Sequence, residues 1–471
     1  MRRASACIFT LALLVGCAVG PDYERPEAPA SAAYKEAIGW KIAEPRDETS
    51  RGDWWEIFGD PQLSALMGQI DISNQNVLLA EAQLRQAHAL TAQSRAALFP
   101  TLDANASITR SRSPTGVIGG TTAGRVINNR SASLSSSWEL DLWGRLRRQL
   151  ESSEAGAQAS AADLAAARLS AHAELASAYF QLRVLDAQKR LLDDTVDAFG
   201  KSFELTRNRY AAGVAAKVDV VQAEAQLKST HAQAIDIGVQ RAQLEHAIAI
   251  LIGKAPSEFS IALAPLALRM PRIPPGLPSE LLERRPDVAA AERRAAAANA
   301  QIGVAKAAYF PSLTLSASGG YRSAEAAGLF TAPSRFWSIG PAIVQSIFDA
   351  GLRRAQTEQA IAAYDASVAQ YRQAVLAGFQ EVEDNLAALR ILEEEAQVQE
   401  DAVRAARESV VLTVNQYKAG TASYLNVVTV QTTQLTNERT AAGILGRRLV
   451  AAVTLVKALG GGWDASELAA R

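Results

Sequence analysis

Four histidines, one thiol beyond residue 16 and one run mixing bases with acids are the side chains here that could do chemistry. His88, His172, His231 and His246 stand alone in helical stretches with no cysteine nearby, and no spacing among them makes a metal site. The run Leu282 to Asp287 (LERRPD) brings guanidinium and carboxylate groups together. Its Pro286 and Asp287 are also what a helix start requires, since proline fits the first turn and a carboxylate favours the positive end of the helix dipole. No phosphate-cradling glycine loop, nucleophile elbow or dinucleotide fingerprint occurs. With no converging acid, base and nucleophile, the chain reads as no enzyme, with no catalytic residue, metal or cofactor. Lys+Arg 48 against Asp+Glu 49 leaves no bulk footprint for nucleic acid or an anionic membrane surface.

The thiol has a context. Arg2 and Arg3 precede a short apolar core, Ile8 to Val15, and Leu14-Val15-Gly16-Cys17 follows. The core is too short to span a bilayer as a helix, so residues 1–16 read as a cleaved signal peptide. Leu-Val-Gly-Cys resembles the bacterial lipobox, which implies cleavage before Cys17 and lipidation of its thiol. Cys7 lies inside the signal, so the mature chain has no partner for an internal disulfide. Ala18 after that cysteine favours, by the same resemblance, export to the outer membrane. Removing Arg2 and Arg3 leaves a mature net charge of about −3.

The elements around these residues come in two copies. ALFPTLDANASITR around Phe99 returns as AYFPSLTLSASGGYR around Phe310, 211 residues later. RYAAGVAAKVDVV (Arg209 to Val221) returns as QYKAGTASYLNVV (Gln416 to Val428), 207 residues later. Duplication at this scale suits a pseudo-symmetric conduit better than a single active site. The spacing predicts residues 17–62 as an N-terminal strap, 63–256 as the first repeat, 257–278 as a linker, 279–460 as the second repeat and 461–471 as a tail. Helical patterning runs from Leu63 to Leu98 and stops at Pro100. The stretches from Leu146 to about Asn208 and from Leu352 to about Tyr417 lack proline and predict very long helices that bury their apolar stripes against one another, coiled-coil fashion.

Between the helices the period drops to two. Leu102, Ala104, Ala106 and Ile108 alternate with Asp103, Asn105, Ser107 and Thr109. Ala132, Leu134, Trp138 and Leu140 alternate with Ser131, Ser133, Ser135, Ser137 and Glu139; Leu313, Leu315, Ala317 and Tyr321 alternate with Ser312, Thr314, Ser316 and Ser318. A fourth segment, Trp337 to Phe348, is apolar but alternates less cleanly. These are two-faced strands of about ten residues, long enough to cross a bilayer when tilted, with aromatic residues at their ends. Four strands have two open edges, which hydrocarbon does not tolerate. Two copies would give eight strands and a filled interior, whereas three would give about twelve and leave a lumen. The small polar residues of one face favour the homotrimer, with outer-membrane lipid on the other face.

The motifs together resemble one family. Val19-Gly20-Pro21-Asp22-Tyr23 with Pro26, Trp54-Trp55 with Phe58-Gly59-Asp60-Pro61, GLPSELLERRPDVAAAERR from Gly276 to Arg294, and ALGGGW from Ala458 to Trp463 resemble the TolC-like outer-membrane factors, in their lipoprotein branch. The resemblance implies a mostly α fold with a small β part: a trimeric 12-stranded transmembrane β-barrel on a long periplasmic α-helical barrel. It implies an equatorial region from the terminal segments and the linker. As function it implies the passive outer-membrane exit duct of a tripartite efflux pump, partnered by a periplasmic adaptor protein and an inner-membrane pump of the resistance-nodulation-division (RND) type. A duct for type I protein secretion, or a lipid-anchored coiled coil without a pore, are the alternatives. The turns Arg209, Tyr210, Gly213 and Tyr417, Gly420 match the family's periplasmic tips, implying adaptor docking. Asp219, with Asn426 and Thr429 where some members carry acidic rings, would line the aperture gate.

Overall fold

The computed structural model describes residues 18–29, 33–36, 53–112, 126–264, 270–271 and 284–463. In chain order it forms α1 (Pro61–Ser73), α2 (Gln75–Ala96), β1 (Thr101–Arg112), β2 (Val126–Leu140), α3 (Arg145–Ala211) and α4 (Lys217–Leu251). The second half forms α5 (Pro286–Ala307), β3 (Ser312–Ser323), β4 (Arg335–Val344), α6 (Leu352–Lys418) and α7 (Tyr424–Ala458). The repeat is kept nearly residue for residue: α2 and α5 have 22 residues each, α3 and α6 have 67, and α4 and α7 have 35. No helix among the described residues is long and apolar enough to cross a membrane. The chain divides into two compact units, one holding residues 84–160 and 291–371 with the N-terminal 27, the other holding 28–83, 161–290 and 372–471.

The first unit contains the sheet. Its strands run β1-β2-β3-β4, each antiparallel to the next. The fourth segment occupies Arg335–Val344 rather than Trp337 to Phe348, and Gly340 and Pro341 account for the weak alternation there. Below the sheet, the segment around Pro21 crosses α3 and α5 closely. A Cβ on Gly303 would lie 2.9 Å from the Val19 carbonyl oxygen and 2.8 Å from the Arg148 side chain, so glycine sets this approach. Arg148 reaches Asp22 at 2.7 Å, and the Tyr23 hydroxyl donates to Glu292 at 2.6 Å.

The second unit is held by buried polar ties. The helical patterning from Leu63 to Leu98 is met by two helices, because Asn74 interrupts it. That side chain is buried; its Oδ1 accepts from the amides of Asn76 and Val77, capping α2, while its amide donates to the Leu251 carbonyl at 2.6 Å. Asp186 sits between Arg183 (2.8 Å) and Arg241 (2.8 Å), and both guanidiniums also reach the backbone carbonyls of residues 261 and 262. Arg183 and Asp186 are almost wholly buried, so neither charge can lose its partner cheaply. Arg285 likewise binds Asp287, Glu381 and the Ala458 carbonyl, and α5 starts at Pro286 as the LERRPD run predicts.

His172, on α3, is the one histidine in a built environment. Its ring packs at a tilt against Trp55 with ring centroids 4.7 Å apart, and its Nε2 lies 3.5 Å from Asp71 on α1. Burial pushes its pKa below the ordinary histidine value; Asp71 and Asp53 oppose that shift and Arg168, one turn away, adds to it. A depressed pKa means that the unfolded chain takes up the proton first, so this stability is present above the unfolded value of about 6.5 and is lost as pH falls. The melting temperature should therefore fall between about pH 7 and 5 more steeply in the native chain than in His172→Gln. Parallel thermal-denaturation profiles across that range would show that His172 does not contribute.

Candidate functional site

The sheet sorts its residues by face. In the observed register Asp103, Asn105 and Ser107 pair with Ser135, Ser133 and Ser131, which pair in turn with Ser318, Gly320 and Arg322. This face is hydroxyl-rich and hydrogen-bonded across strands, Asn105 to Ser135 at 2.9 Å and Ser107 to Ser131 at 2.8 Å. On the opposite face Ala104 pairs with Leu134, Leu134 with Gly319 and Gly319 with Trp337; Ser136, Ala317 and Ile339 form the next row. That face is apolar yet uncovered in the chain: Leu102 is 71% exposed, Ile108 77% and Trp337 77%. A soluble protein rarely exposes so large an apolar surface, so it marks a contact with lipid or protein.

Aromatic residues frame the apolar band at both ends. At the helix-side end the Trp138 indole N–H donates to the Leu98 carbonyl at 2.9 Å, and that of Trp143 to the Pro311 carbonyl at 2.8 Å. Trp143 stacks on Phe310 at 4.8 Å. At the loop-side end Tyr321 meets Phe330 edge-on at 5.5 Å. Amphipathic rings with satisfied polar atoms at the margins of an apolar band form a girdle at a membrane interface. The strands hold 12, 15, 12 and 10 residues, enough to cross when tilted.

The second unit carries the helix turns. Gly213 (φ +75°) and Gly420 (φ +79°) take the left-handed conformation that ends α3 and α6, and their amides donate to the carbonyls of Tyr210 and Tyr417. The two turns share a sequence pattern but not an environment. Tyr210 is 44% exposed, whereas its repeat counterpart Tyr417 is 5% exposed. Tyr417 packs edge-on against Tyr424 at 5.5 Å, beside Ala223 and Val427, and its hydroxyl lies 3.2 Å from that of Thr206. Arg209 lies over the Tyr417 ring at 4.9 Å and donates to the Lys418 carbonyl at 3.2 Å, so it bridges the two turns. Burial, then the neighbouring Tyr417 and Asp219, push the Tyr424 hydroxyl up to about 12, keeping it neutral at any physiological pH.

Asp219 is half-buried, and its carboxylate accepts the Ala216 amide at 3.3 Å, one half of a capping box on α4. Asn426 and Thr429, in the first turns of α7, are exposed; the Thr429 hydroxyl donates to the Leu425 carbonyl at 2.9 Å. Gly213 and Gly420 are exposed as well. Cys17, the signal peptide, residues 113–125 and the last eight residues lie outside the described residues. Sequence reasoning did not single out Thr206 or Tyr424; an aromatic one turn after Gly420 was the only available signal.

A family profile described as outer membrane efflux protein matches residues 66–254 and 277–461. The chain is 32% identical to the probable efflux pump outer membrane protein TtgC of Pseudomonas putida, over 96% of this chain and 94% of that one. It is also 32% identical to the pyoverdine export outer membrane protein OpmQ of Pseudomonas aeruginosa, over 98% of this chain and 96% of that one. Among solved structures it is similar to the outer-membrane channel OprN, with a TM-score of 0.89 and 34% identity over 95% of this chain and 100% of that one. It is similar too to the open state of the Neisseria gonorrhoeae outer-membrane channel MtrE, with a TM-score of 0.84 and 30% identity over 95% and 99% of the two chains.

Removing the Tyr417 ring should loosen both turns. Tyr417→Ala leaves a cavity and strips Arg209 of its ring, a loss of about 3 kcal/mol or more by analogy with other buried aromatics. Amide exchange should speed up around both Gly213 and Gly420. Faster exchange at Gly420 alone would show that the turns are not coupled.

Proposed function

The chain belongs to the outer membrane efflux protein family, and from that premise we propose that three copies assemble into a passive exit duct. The observation carrying this reading is the four-stranded sheet, apolar and exposed on one face, hydroxylated on the other and unpaired along β1 and β4. Three such sheets close into a twelve-stranded barrel whose serine and threonine face lines water and whose leucine, isoleucine and tryptophan face meets lipid. The long helices continue as a periplasmic helical barrel. The equatorial collar expected of the strap and linker falls in large part outside the described residues, as does Cys17, the proposed lipid anchor. The duct performs no chemistry. An inner-membrane RND-type pump supplies the energy, and a periplasmic adaptor hands over small molecules.

The turns are the ends of that duct in the periplasm. Tyr210, exposed beside Gly213, and the exposed Gly420 suit adaptor docking, with Arg209 holding the two turns in one frame. Tyr417 serves from beneath, as the packed ring on which Arg209 rests. Asp219, Asn426 and Thr429 form the aperture; its charge comes from Asp219 alone, one carboxylate per copy. The Ala216 contact gives that carboxylate a second duty as a helix cap.

Conductance in planar bilayers, with the detergent-solubilised mass measured in parallel, tests the reading. A trimer with small, mostly closed currents is the expected result. Arg209→Ala together with Tyr417→Phe should raise the open fraction several-fold, and Asp219→Asn should lower cation preference. A monomer that inserts without currents contradicts the duct.

A further inference from the structure

The near balance of charge over the whole chain hides a local excess at the loop-side end of the sheet. From Thr109 to Arg130 the sequence holds four arginines and no acidic residue, and from Gly319 to Phe336 it holds Arg322 and Arg335 against Glu325. Strand parity decides where these charges go. Arg110 and Arg112 continue the Leu102-Ala104-Ala106-Ile108 series of β1. Arg130 pairs with Ile108, and Arg335 pairs with Tyr321, which pairs with Ala132. All four therefore belong to the apolar face, just beyond its hydrophobic band, while Arg322 belongs to the hydroxyl-rich face and lies over Phe336 at 4.9 Å. Among the described residues no carboxylate lies within ion-pair distance of Arg110, Arg112 or Arg335, and Arg130 spends one donor on the Ala324 carbonyl at 2.6 Å.

Directly beside these cations the apolar face is hollow. A groove of about 660 Å³ is lined by Ala104, Ala106, Ala132 and Gly319, walled by Trp337 and Phe330, with Arg335 at its loop-side mouth. Small residues on three adjacent strands make the floor, and a Cβ on Gly319 would meet nothing closer than 3.7 Å, so the hollow is not forced by backbone crowding. A guanidinium fork matches a phosphate in two-point geometry, and diagonal neighbours on a sheet, such as Arg110 and Arg130, lie about 7 Å apart, within joint reach of one headgroup. An apolar trough ending at unpaired arginines, on a face that looks into lipid, fits one kind of molecule.

We propose that this surface binds a phosphate-bearing glycolipid of the outer leaflet, with Arg110, Arg112, Arg130 and Arg335 taking the phosphate and the Ala104-Ala106-Ala132-Gly319 groove taking an acyl chain. The inference rests on the sheet being the barrel wall. It assigns the strand ends a role that cargo passage does not need: they tie the barrel to the charged layer of its own membrane.

Lipid A is the probe, titrated against the full-length protein in detergent and followed by native mass spectrometry. Dephosphorylated lipid A and inorganic phosphate are the controls. Lipid A should be retained, the dephosphorylated form should bind at least tenfold more weakly, and inorganic phosphate at equal concentration should not compete. The triple variant Arg110→Gln, Arg130→Gln, Arg335→Gln should lose tenfold or more in affinity, and Gly319→Leu, which fills the groove, several-fold; Arg322→Gln should bind as the native chain does. If the triple variant does not assemble, Arg335→Gln combined with Gly319→Leu gives the same test. Undiminished binding by the assembled variants, equal binding of the dephosphorylated lipid, displacement by free phosphate, or an equal loss in Arg322→Gln would each overturn the proposal. Loss of lipid binding preference with conductance intact would leave the duct standing, whereas a chain that forms no pore would remove both.

Discussion

A peptide N–H or C=O placed in hydrocarbon must find a protein partner, because no water is there to take its place. The first unit is shaped by a sheet with one apolar, exposed face and two unpaired edges. β1 and β4 are those edges in the order β1-β2-β3-β4. Pro341, which has no N–H to give, sits on β4, and an edge strand is where a sheet can accept one. One chain cannot satisfy its own backbone in a bilayer, so the barrel is a property of the assembly and the monomer is an incomplete wall.

Duplication supplies half of the symmetry and assembly supplies the rest. Matching helices of equal length put the two hairpins of each chain in equivalent places, so the proposed assembly of three copies would hold six near-equivalent hairpins. The copies diverge where equivalence would do harm or no good. At the turns, Tyr210 points out and Tyr417 points in, and the repeat counterpart of Arg209 is Gln416, which could not sit over a ring as a cation. The result is one packed and one open tyrosine per pair of turns, from two nearly identical sequence words.

Much of this was legible in the sequence because it depends on local periodicity. Alternation from Thr101 and from Ser131 specified both strands and the face of each residue, since a period of two admits no other reading. The absence of proline between Leu146 and Asn208 specified a continuous helix. What failed to show depends on residues far apart. Asn74 breaks a helix without glycine or proline, by offering its side chain to amides at 76 and 77 and to a carbonyl at 251. The turn at Gly213 places α3 and α4 side by side, but nothing local says that Arg183, Asp186 and Arg241 meet there or that the carbonyls of residues 261 and 262 join them. Tyr210 and Tyr417 have the same local pattern, so nothing in either word tells which one is buried. The outward arginines were visible as residues, but overall charge balance concealed them until register assigned them a face.

Edge closure between copies is what would turn the open sheet into a wall, and cysteine pairing measures it directly. Within one chain β1 and β4 are three strand spacings apart, roughly 14 Å, well beyond the ~7 Å limit for a disulfide. Cysteines placed singly at Leu102, Ala104 or Ala106 on β1 and at Trp337, Ile339 or Ile343 on β4 therefore cannot join within a chain. At least one combination should oxidise to a ladder of covalent dimers and trimers that a reductant collapses to monomer. Monomer alone across all nine combinations, with the cysteines still open to thiol reagents, would contradict the closed barrel.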